Sequence, residues 1–500
     1  MKAFVTVLIL VVSVAFGSSA QRMVQELEMK NGKAQAVFST ADTYGNMAYI
    51  FQGSKSIQVN LLDPSYQVLS QFLINRDEAE KRNEVIGVTL GVKNVVVYLY
   101  DTKERNLAAL IIDRFTGTYT FRPSIGTLQK AEFFLKSFEM GGKFYVLVVP
   151  QYKNTVLLFE SEDGNDFVVK NYEINFPTFY AKLSSKNDEL NHKTDSPVGI
   201  EKISYAVENN IKSTYPSKKL YTFGDKIYMT FDEAAHTHLV IIDPKSNESV
   251  YRKLNFSLSK TKNTNPRQGN SFLYMGDLFR VTMNEEQLNM IVITIDSMQM
   301  LKSYTIYAEQ PIPILNGHIR QDGNDIEMRI IKNTPQFFKR IQKAKLSIAV
   351  NDLLDGRYEA EIGGYEEVVS YRNAGPGYSM SPGMSMGFGM GMGPMMMGYG
   401  YPMYYDPFYY PGYYPYGGGS TVTSIRSTYF QTLLDIDHLT HIQGNVPKTL
   451  REKLNDYEAD VFRKNNPELL NVIPTYGHKG LVLGYYAKNR SKYILVEFNR

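Results

Sequence analysis

Two residue types are missing from the 500-residue chain: it has no cysteine and no tryptophan. The absence of cysteine excludes disulfides, thiolate metal sites, cysteine nucleophiles and a lipidated N-terminal cysteine. A dominant charge is missing too, since 54 Lys and Arg face 51 Asp and Glu. The resulting net charge of +3 argues against nucleic acid or a membrane surface as the main partner. No Gly-x-Ser-x-Gly elbow, phosphate-binding Walker loop, dinucleotide fingerprint or zinc-protease helix motif occurs. Beyond the N-terminus no stretch is apolar enough to cross a bilayer. What remains is a 43% hydrophobic, 21% charged chain, a balance that supports a packed core rather than global disorder. Its 37 Tyr and 27 Phe favour sheets over helical bundles.

The first 20 residues read as a signal peptide. Met1 and Lys2 precede an apolar run from Ala3 to Phe16, and Ser18 and Ala20 offer the small side chains a signal peptidase requires before Gln21. The run is shorter than the roughly 20 residues of a membrane span. The expectation is an exported chain that is periplasmic, cell-surface-associated or secreted.

The strongest signal is an internal repeat. A glycine turn followed by an alternating apolar strand recurs at Gly45, Gly91, Gly142, Gly224 and Gly276. After each glycine a second apolar strand ends in an acid, at Asp63, Asp113, Glu160, Asp243 and Asp296, and a further strand follows. Glycine supplies the positive φ of a tight turn, and a carboxylate accepts backbone N–H groups where the next turn opens. Four strands per unit is the pattern of a β-propeller blade. The wider spacing from Gly142 to Gly224 marks an inserted loop over residues 177–219, with a helix expected near Pro197 to Lys212.

Beyond Gly323 the repeat loosens. Residues 316–445 are expected to hold two irregular blades with shared strands, which gives seven in all, or eight if that region is more regular. The last unit, from Gly477 to Glu497, lacks a fourth strand, which either Met23, Val24, Leu27 and Met29 or the following Ala34 to Phe38 can supply. Joining the two ends in one sheet removes the open edges of a linear array. A short helix near the C-terminus is expected with Leu450, Leu454, Tyr457 and Val461 on one face, opened by a Thr449/Glu452 capping box. The expected fold is therefore all-β, a propeller of about seven four-stranded blades closed by strands from both termini. Blades occupy residues 21–374 and 421–500, and an insertion at 375–420 separates them. This organisation resembles secreted β-propellers in architecture. It lacks the Trp-Asp endings of WD repeats and the paired-Gly and Trp pattern of kelch blades, so the resemblance implies a fold and assigns no functional residue.

The 375–420 insertion is almost entirely Gly, Met, Tyr and Pro, with Asp406 its one charged side chain. Its thioethers, among them Met384, Met386, Met390 and Met392, offer a soft ligand set for Cu(I). Its Tyr pairs alternatively offer flat faces for adhesion to proteins or glycans. His236 and His238 alternate along an expected strand near Asp232 and Glu233, and form the best metal-like cluster outside the insertion. Exposed polar residues on a blade explain the same pattern, and no cofactor is expected. The leading functional expectation is an exported, non-enzymatic binding or scaffold module with a protein or glycan partner at the cell envelope. Two alternatives stand beside it: a hydrolase-type enzyme with its site at the propeller axis, and copper handling by the Met-rich loop.

Overall fold

The computed structural model describes residues 21–30, 34–76, 83–185, 198–205, 207–258, 265–323, 328–371, 421–465, 468–474, 480–487 and 492–499. After strand β1 (Gln21–Glu28) come antiparallel sheets built from consecutive strands. The first sheet is β2 to β5 (Ala36–Ala41, Met47–Gln52, Ser56–Leu62, Val68–Asn75). The second is β6 to β9 (Glu84–Leu90, Asn94–Asp101, Asn106–Asp113, Tyr119–Thr127), and the third β10 to β13 (Glu132–Met140, Lys143–Pro150, Thr155–Ser161, Val168–Glu173). Helix α1 (Phe179–Ser184), the two-residue strand β14 (Glu201–Lys202) and helix α2 (Ile211–Thr214) lead to the fourth sheet, β15 to β18 (Lys218–Phe223, Lys226–Asp232, His236–Asp243, Glu248–Asn255). β14 pairs parallel with β15 on the edge of that sheet. The fifth sheet is β19 to β22 (Gln268–Tyr274, Asp277–Met283, Gln287–Thr294, Met300–Tyr307).

The sixth sheet is rearranged. It contains β23 (Asn316–Gly323), β24 (Arg329–Ile331), β25 (Lys345–Asp352), β26 (Arg357–Tyr371) and β27 (Thr421–Asp435), in the spatial order β24-β23-β27-β26-β25, with α3 (Thr334–Ile341) between β24 and β25 in the chain. Residues 316–435 thus build one five-stranded sheet where two irregular units are expected from the sequence. The reason lies in the length of β26 and β27, which stay paired from Arg357↔Asp435 to Tyr371↔Thr421. The Met-rich insertion therefore joins neighbouring strands of a single sheet. After α4 (Leu450–Asn465) the seventh sheet forms from β28 (Glu468–Pro474), β29 (Gly480–Ala487) and β30 (Lys492–Asn499). Its outer strand is β1, which runs antiparallel to β30 with Met23 opposite Val496 and Leu27 opposite Tyr493. Tyr66 of the first sheet donates a hydrogen bond to Glu497 at 2.7 Å, and Ser39 donates to Asn471, so the first and seventh sheets are also bonded to each other.

Local chemistry explains the repeat. Gly45, Gly142, Gly224 and Gly276 all have positive φ, between 56° and 91°, as their hairpins demand. Asp63, Asp113 and Asp243 each accept two backbone N–H groups in the turn they open. Glu160 departs from this pattern and pairs instead with Lys143 and Lys170. Within each of the first five sheets burial falls from the middle strands to the last. β3 and β4 are buried along their whole length, whereas β5, β9, β13 and β18 are largely exposed.

Among the described residues of the expected 197–212 helix, 198–205 and 207–210 are not helical, and helix begins only at Ile211. Val198 and Ile200 are buried in alternation and pack beside Phe179 and Leu183 of α1, a period of two that a helix would break. α4 carries the expected capping box and two of the expected apolar contacts, while the side chain of Val461 lies outside the described residues. Thr449 N–H donates to Glu452, Glu452 N–H donates to the Thr449 hydroxyl, and Leu450 and Leu454 are buried against Leu481 and Leu483.

One buried ionic network ties the fourth sheet to the fifth. Asp232 accepts from Arg280 at 2.7 Å, Lys219 at 3.0 Å, Thr237 and Ser271, and the side chains of all three charged residues are wholly buried. Gly269 makes room for it, since a Cβ there would lie 2.0 Å from the Arg280 guanidinium and 2.6 Å from the Ala234 carbonyl oxygen.

Candidate functional site

His236 and His238 lie on β17, the third strand of the fourth sheet, with ring centroids 6.5 Å apart. His238 is buried, stacks on Phe176 at 4.4 Å and shares a 2.8 Å hydrogen bond between Nδ1 and the Tyr251 hydroxyl. Burial lowers its pKa, opposed by Glu233 at 3.5 Å. Neighbouring Asp232 is committed to the Lys219/Arg280 network. Among the described residues no group of three His, Asp or Glu side chains is placed to hold a metal ion. Met384, Met386, Met390 and Met392 lie outside the described residues.

The unusual chemistry sits on one face of the sixth sheet. Leu346, Ile348, Val350, Ala360, Ile362, Phe430 and Leu434 cover the other face as apolar core. Strand alternation sends the intervening residues the opposite way. Glu359 and Glu361 are two apart on β26, with Asn351 opposite Glu359 and Gln431 opposite Glu361. Arg320 pairs in register with Tyr429, and Asp322 with Ser427. This polar face is capped by the segment around α2 and by the start of α4. Ile211 N–H donates to Glu361 at 3.0 Å, Thr214 bonds Ser347, and the Asn351 side chain brackets the backbone N–H and carbonyl of Asn209. Arg451 donates to the Glu208 carbonyl, Lys212 pairs with Asp322 at 3.2 Å, and Arg320 lies 3.7 Å from Glu452.

Five carboxylates, those of Glu208, Asp322, Glu359, Glu361 and Glu452, therefore share this seam with Lys212, Arg320 and Arg451. Glu359 is only 2% exposed and accepts from Gln431 at 2.7 Å and Asn351 at 3.2 Å. Burial pushes its pKa up to about 7, reinforced by Glu452 and Glu208 and opposed by the two amides. Burial and the Glu359 charge push Glu361 to about 8. Both carboxyls are thus raised toward neutrality, each chiefly by burial. Beside it, a crevice of about 20 Å³ lined by Glu208, Asn209 and Asn351 has room for about one water molecule. Motif reading misses this pair because Glu359-Ala360-Glu361-Ile362 reads as a strand with a solvated face. The cap that buries it arrives from about 150 residues upstream. The one available signal is the unusually polar Glu208-Asn209-Asn210 within the insertion.

A second concentration of unusual side chains, exposed and apolar, lies at the turns. In an antiparallel sheet of consecutive strands, the first and third hairpins fall at the same end. Across sheets these ends adjoin. Arg114 in a turn of the second sheet pairs with Asp42 in a turn of the first at 3.2 Å. Lys170 of the third sheet bonds the Pro244 carbonyl in a turn of the fourth, and Arg252 of the fourth bonds the Ile295 carbonyl in a turn of the fifth. Tyr304 of the fifth bonds the Leu439 carbonyl in a turn of the sixth. At this shared end Tyr44, Val92, Phe115, Met275 and Leu354 project from turns at 57–79% exposure. The outer strands add exposed apolar residues where they leave the same end, as at Val68-Leu69, Val168-Val169 and Met300-Leu301.

No family model and no curated protein matches the chain. Similar solved structures include the Dos1 propeller (9% identity, TM-score 0.31, covering 98% of this chain and 96% of that one). A member of the duf4221 family from Bacteroides vulgatus is similar at 11% identity and TM-score 0.30, covering 94% of this chain and 100% of that one. An oligogalacturonate lyase in complex with manganese is similar at 7% identity and TM-score 0.32, covering 96% and 97%.

Proposed function

We propose that the mature chain is an exported, non-enzymatic β-propeller of seven blades, closed into a ring between β1 and β30, that acts as a binding or scaffold module at the cell envelope. Closure is supported by the β1–β30 ladder and by the Tyr66–Glu497 bond between the first and last sheets. The binding role rests on one observation: large apolar side chains gather, exposed, on the turns at one end of the sheets. Scattered surface hydrophobes are ordinary, but a shared end rimmed by polar turns is the anatomy of an interaction surface.

A photo-cross-linking side chain placed at Phe115, in the protein expressed with its own leader, tests this reading. A discrete adduct is expected from Phe115 and none from Lys103, which sits in a hairpin turn at the opposite end. No adduct at Phe115, or the same adduct from both positions, would overturn it. In the same cells the exported protein is expected to begin at Gln21.

The hydrolase alternative has one observation in its favour, the buried Glu359 beside the half-buried Glu361, with pKa values pushed up to about 7 and about 8, where an acid catalyst works best. Against it, the Ile211 N–H already occupies Glu361, and the adjoining crevice has the volume of a water and not of a sugar.

A further inference from the structure

Resting on the binding role proposed above, we infer that the partner is a protein surface on which Lys or Arg side chains surround an apolar centre, docked on the turn end that carries Tyr44, Phe115 and Met275. The apolar tips are interleaved with carboxylates. Segments 42–46, 63–67, 113–118, 162–166, 243–247, 352–356 and 435–438 contain far more Asp and Glu than Lys and Arg. Several of these acids open their turns by accepting backbone N–H groups. At Asp113 and Asp435 those hydrogen bonds are the leading cause of a lowered pKa, and Asp243 is lowered by its turn N–H groups together with Lys226 and Lys245, so all three are anionic throughout the physiological range. Several cations at this end are engaged by neighbours, although Lys93 stands beside Val92 in the β6–β7 turn. Arg114 pairs with Asp42, Lys245 with Asp225, and Lys143 and Lys170 with Glu160.

The net result is an apolar surface set in negative potential on a chain whose overall charge is slightly positive. Charge complementarity selects a basic partner and speeds its encounter. It disfavours an anionic lipid surface, whose headgroups the turn carboxylates repel. It also disfavours a second copy docked through the same end, which would bring like charges together.

The test uses residues 21–500 and three probes: an amphipathic Leu/Lys peptide, its Leu/Glu counterpart, and phosphatidylglycerol vesicles. The triple variant Tyr44→Ser, Phe115→Ser, Met275→Ser removes apolar tips. The triple variant Asp113→Asn, Asp243→Asn, Asp435→Asn removes charge while an Asn oxygen can still accept the turn N–H groups. Each triple variant is expected to weaken Leu/Lys binding at least about tenfold, somewhat less than the loss of one full hot spot. Tyr152→Ser, at an exposed tip of the opposite end, should leave it unchanged. The Asn variant should also lose most of the salt dependence, and Leu/Glu peptide and vesicles should not bind. Equal Leu/Lys binding by all variants, vesicle binding lost in the Ser variant, or dimers that dissociate in the Ser variant would each overturn the inference. If the Phe115 cross-link persists in any of those cases, the binding role stands and only the partner's chemistry is wrong.

Discussion

Replacing Glu359 by Gln should make the protein more stable above neutrality and leave it almost unchanged in mild acid. The native carboxyl, 2% exposed, is held at about 7, whereas an unfolded Glu titrates near 4.5. The folded state therefore holds the proton more tightly, and stability is greatest below the unfolded value. It falls as pH rises from about 4.5 to 7, because ionising Glu359 in the folded protein is disfavoured, and it levels off above 7. The pKa interval corresponds to about 3 kcal/mol at full ionisation, an upper figure because Glu361 titrates over the same range. Gln mimics the protonated acid, with one oxygen for Asn351 and an amide that the Gln431 side chain can receive by flipping. Urea unfolding of both proteins at pH 5, 6, 7 and 8 is the assay. The midpoints should lie closest at pH 5, where less than about 1 kcal/mol separates the two proteins, and diverge progressively, with Gln the more stable by about 2–3 kcal/mol at pH 8. A gap that does not vary with pH, or a wild type that is the more stable at pH 8, would contradict a Glu359 carboxyl that burial holds protonated to about 7.

Other expectations follow from named contacts. Asp232→Ala leaves the buried Lys219 and Arg280 uncompensated and should cost about 3–5 kcal/mol, whereas the triple change Lys219→Met, Asp232→Leu, Arg280→Met should recover much of that loss in urea titrations. Gly269→Ala should be about as damaging as Asp232→Ala, because its methyl group displaces the Arg280 guanidinium, and it should become milder once Arg280 is Met. Thr449→Ala removes the capping hydroxyl of α4 and should cost about 1 kcal/mol without altering secondary structure by circular dichroism.

Much of the architecture is legible from local chemistry. Turn glycines with positive φ, the turn acids at Asp63, Asp113 and Asp243, and the Thr449/Glu452 box act within a few residues of themselves, so their spacing is visible in one dimension. The pairing of β1 with β30 is legible for a related reason, because a repeat unit that ends one strand short must find it elsewhere. The sixth sheet is not legible, because β23 joins it beside β27, about a hundred residues further on. Nor is the carboxylate seam. Whether Glu359 and Glu361 face water or protein is decided by Ile211 and Asn209, and nothing on β26 itself reports their arrival. The same holds for Asp232, whose place beside His236 in sequence suggests a ligand while its contacts with Arg280 and Lys219 make it structural. Strand alternation predicts which face a residue takes, and only the tertiary partner decides what that face meets.

The absence of native cysteine allows a direct test of ring closure. Glu28 and Lys492 are cross-strand neighbours on β1 and β30, so Glu28→Cys with Lys492→Cys places the chain's only two thiols opposite each other. Under mild oxidation the account predicts an intramolecular disulfide in the monomer, faster migration on a non-reducing gel, and a raised unfolding midpoint that returns to the wild-type value on reduction. Free thiols after oxidation, or cross-linking only between molecules, would contradict a fold whose two ends share one sheet.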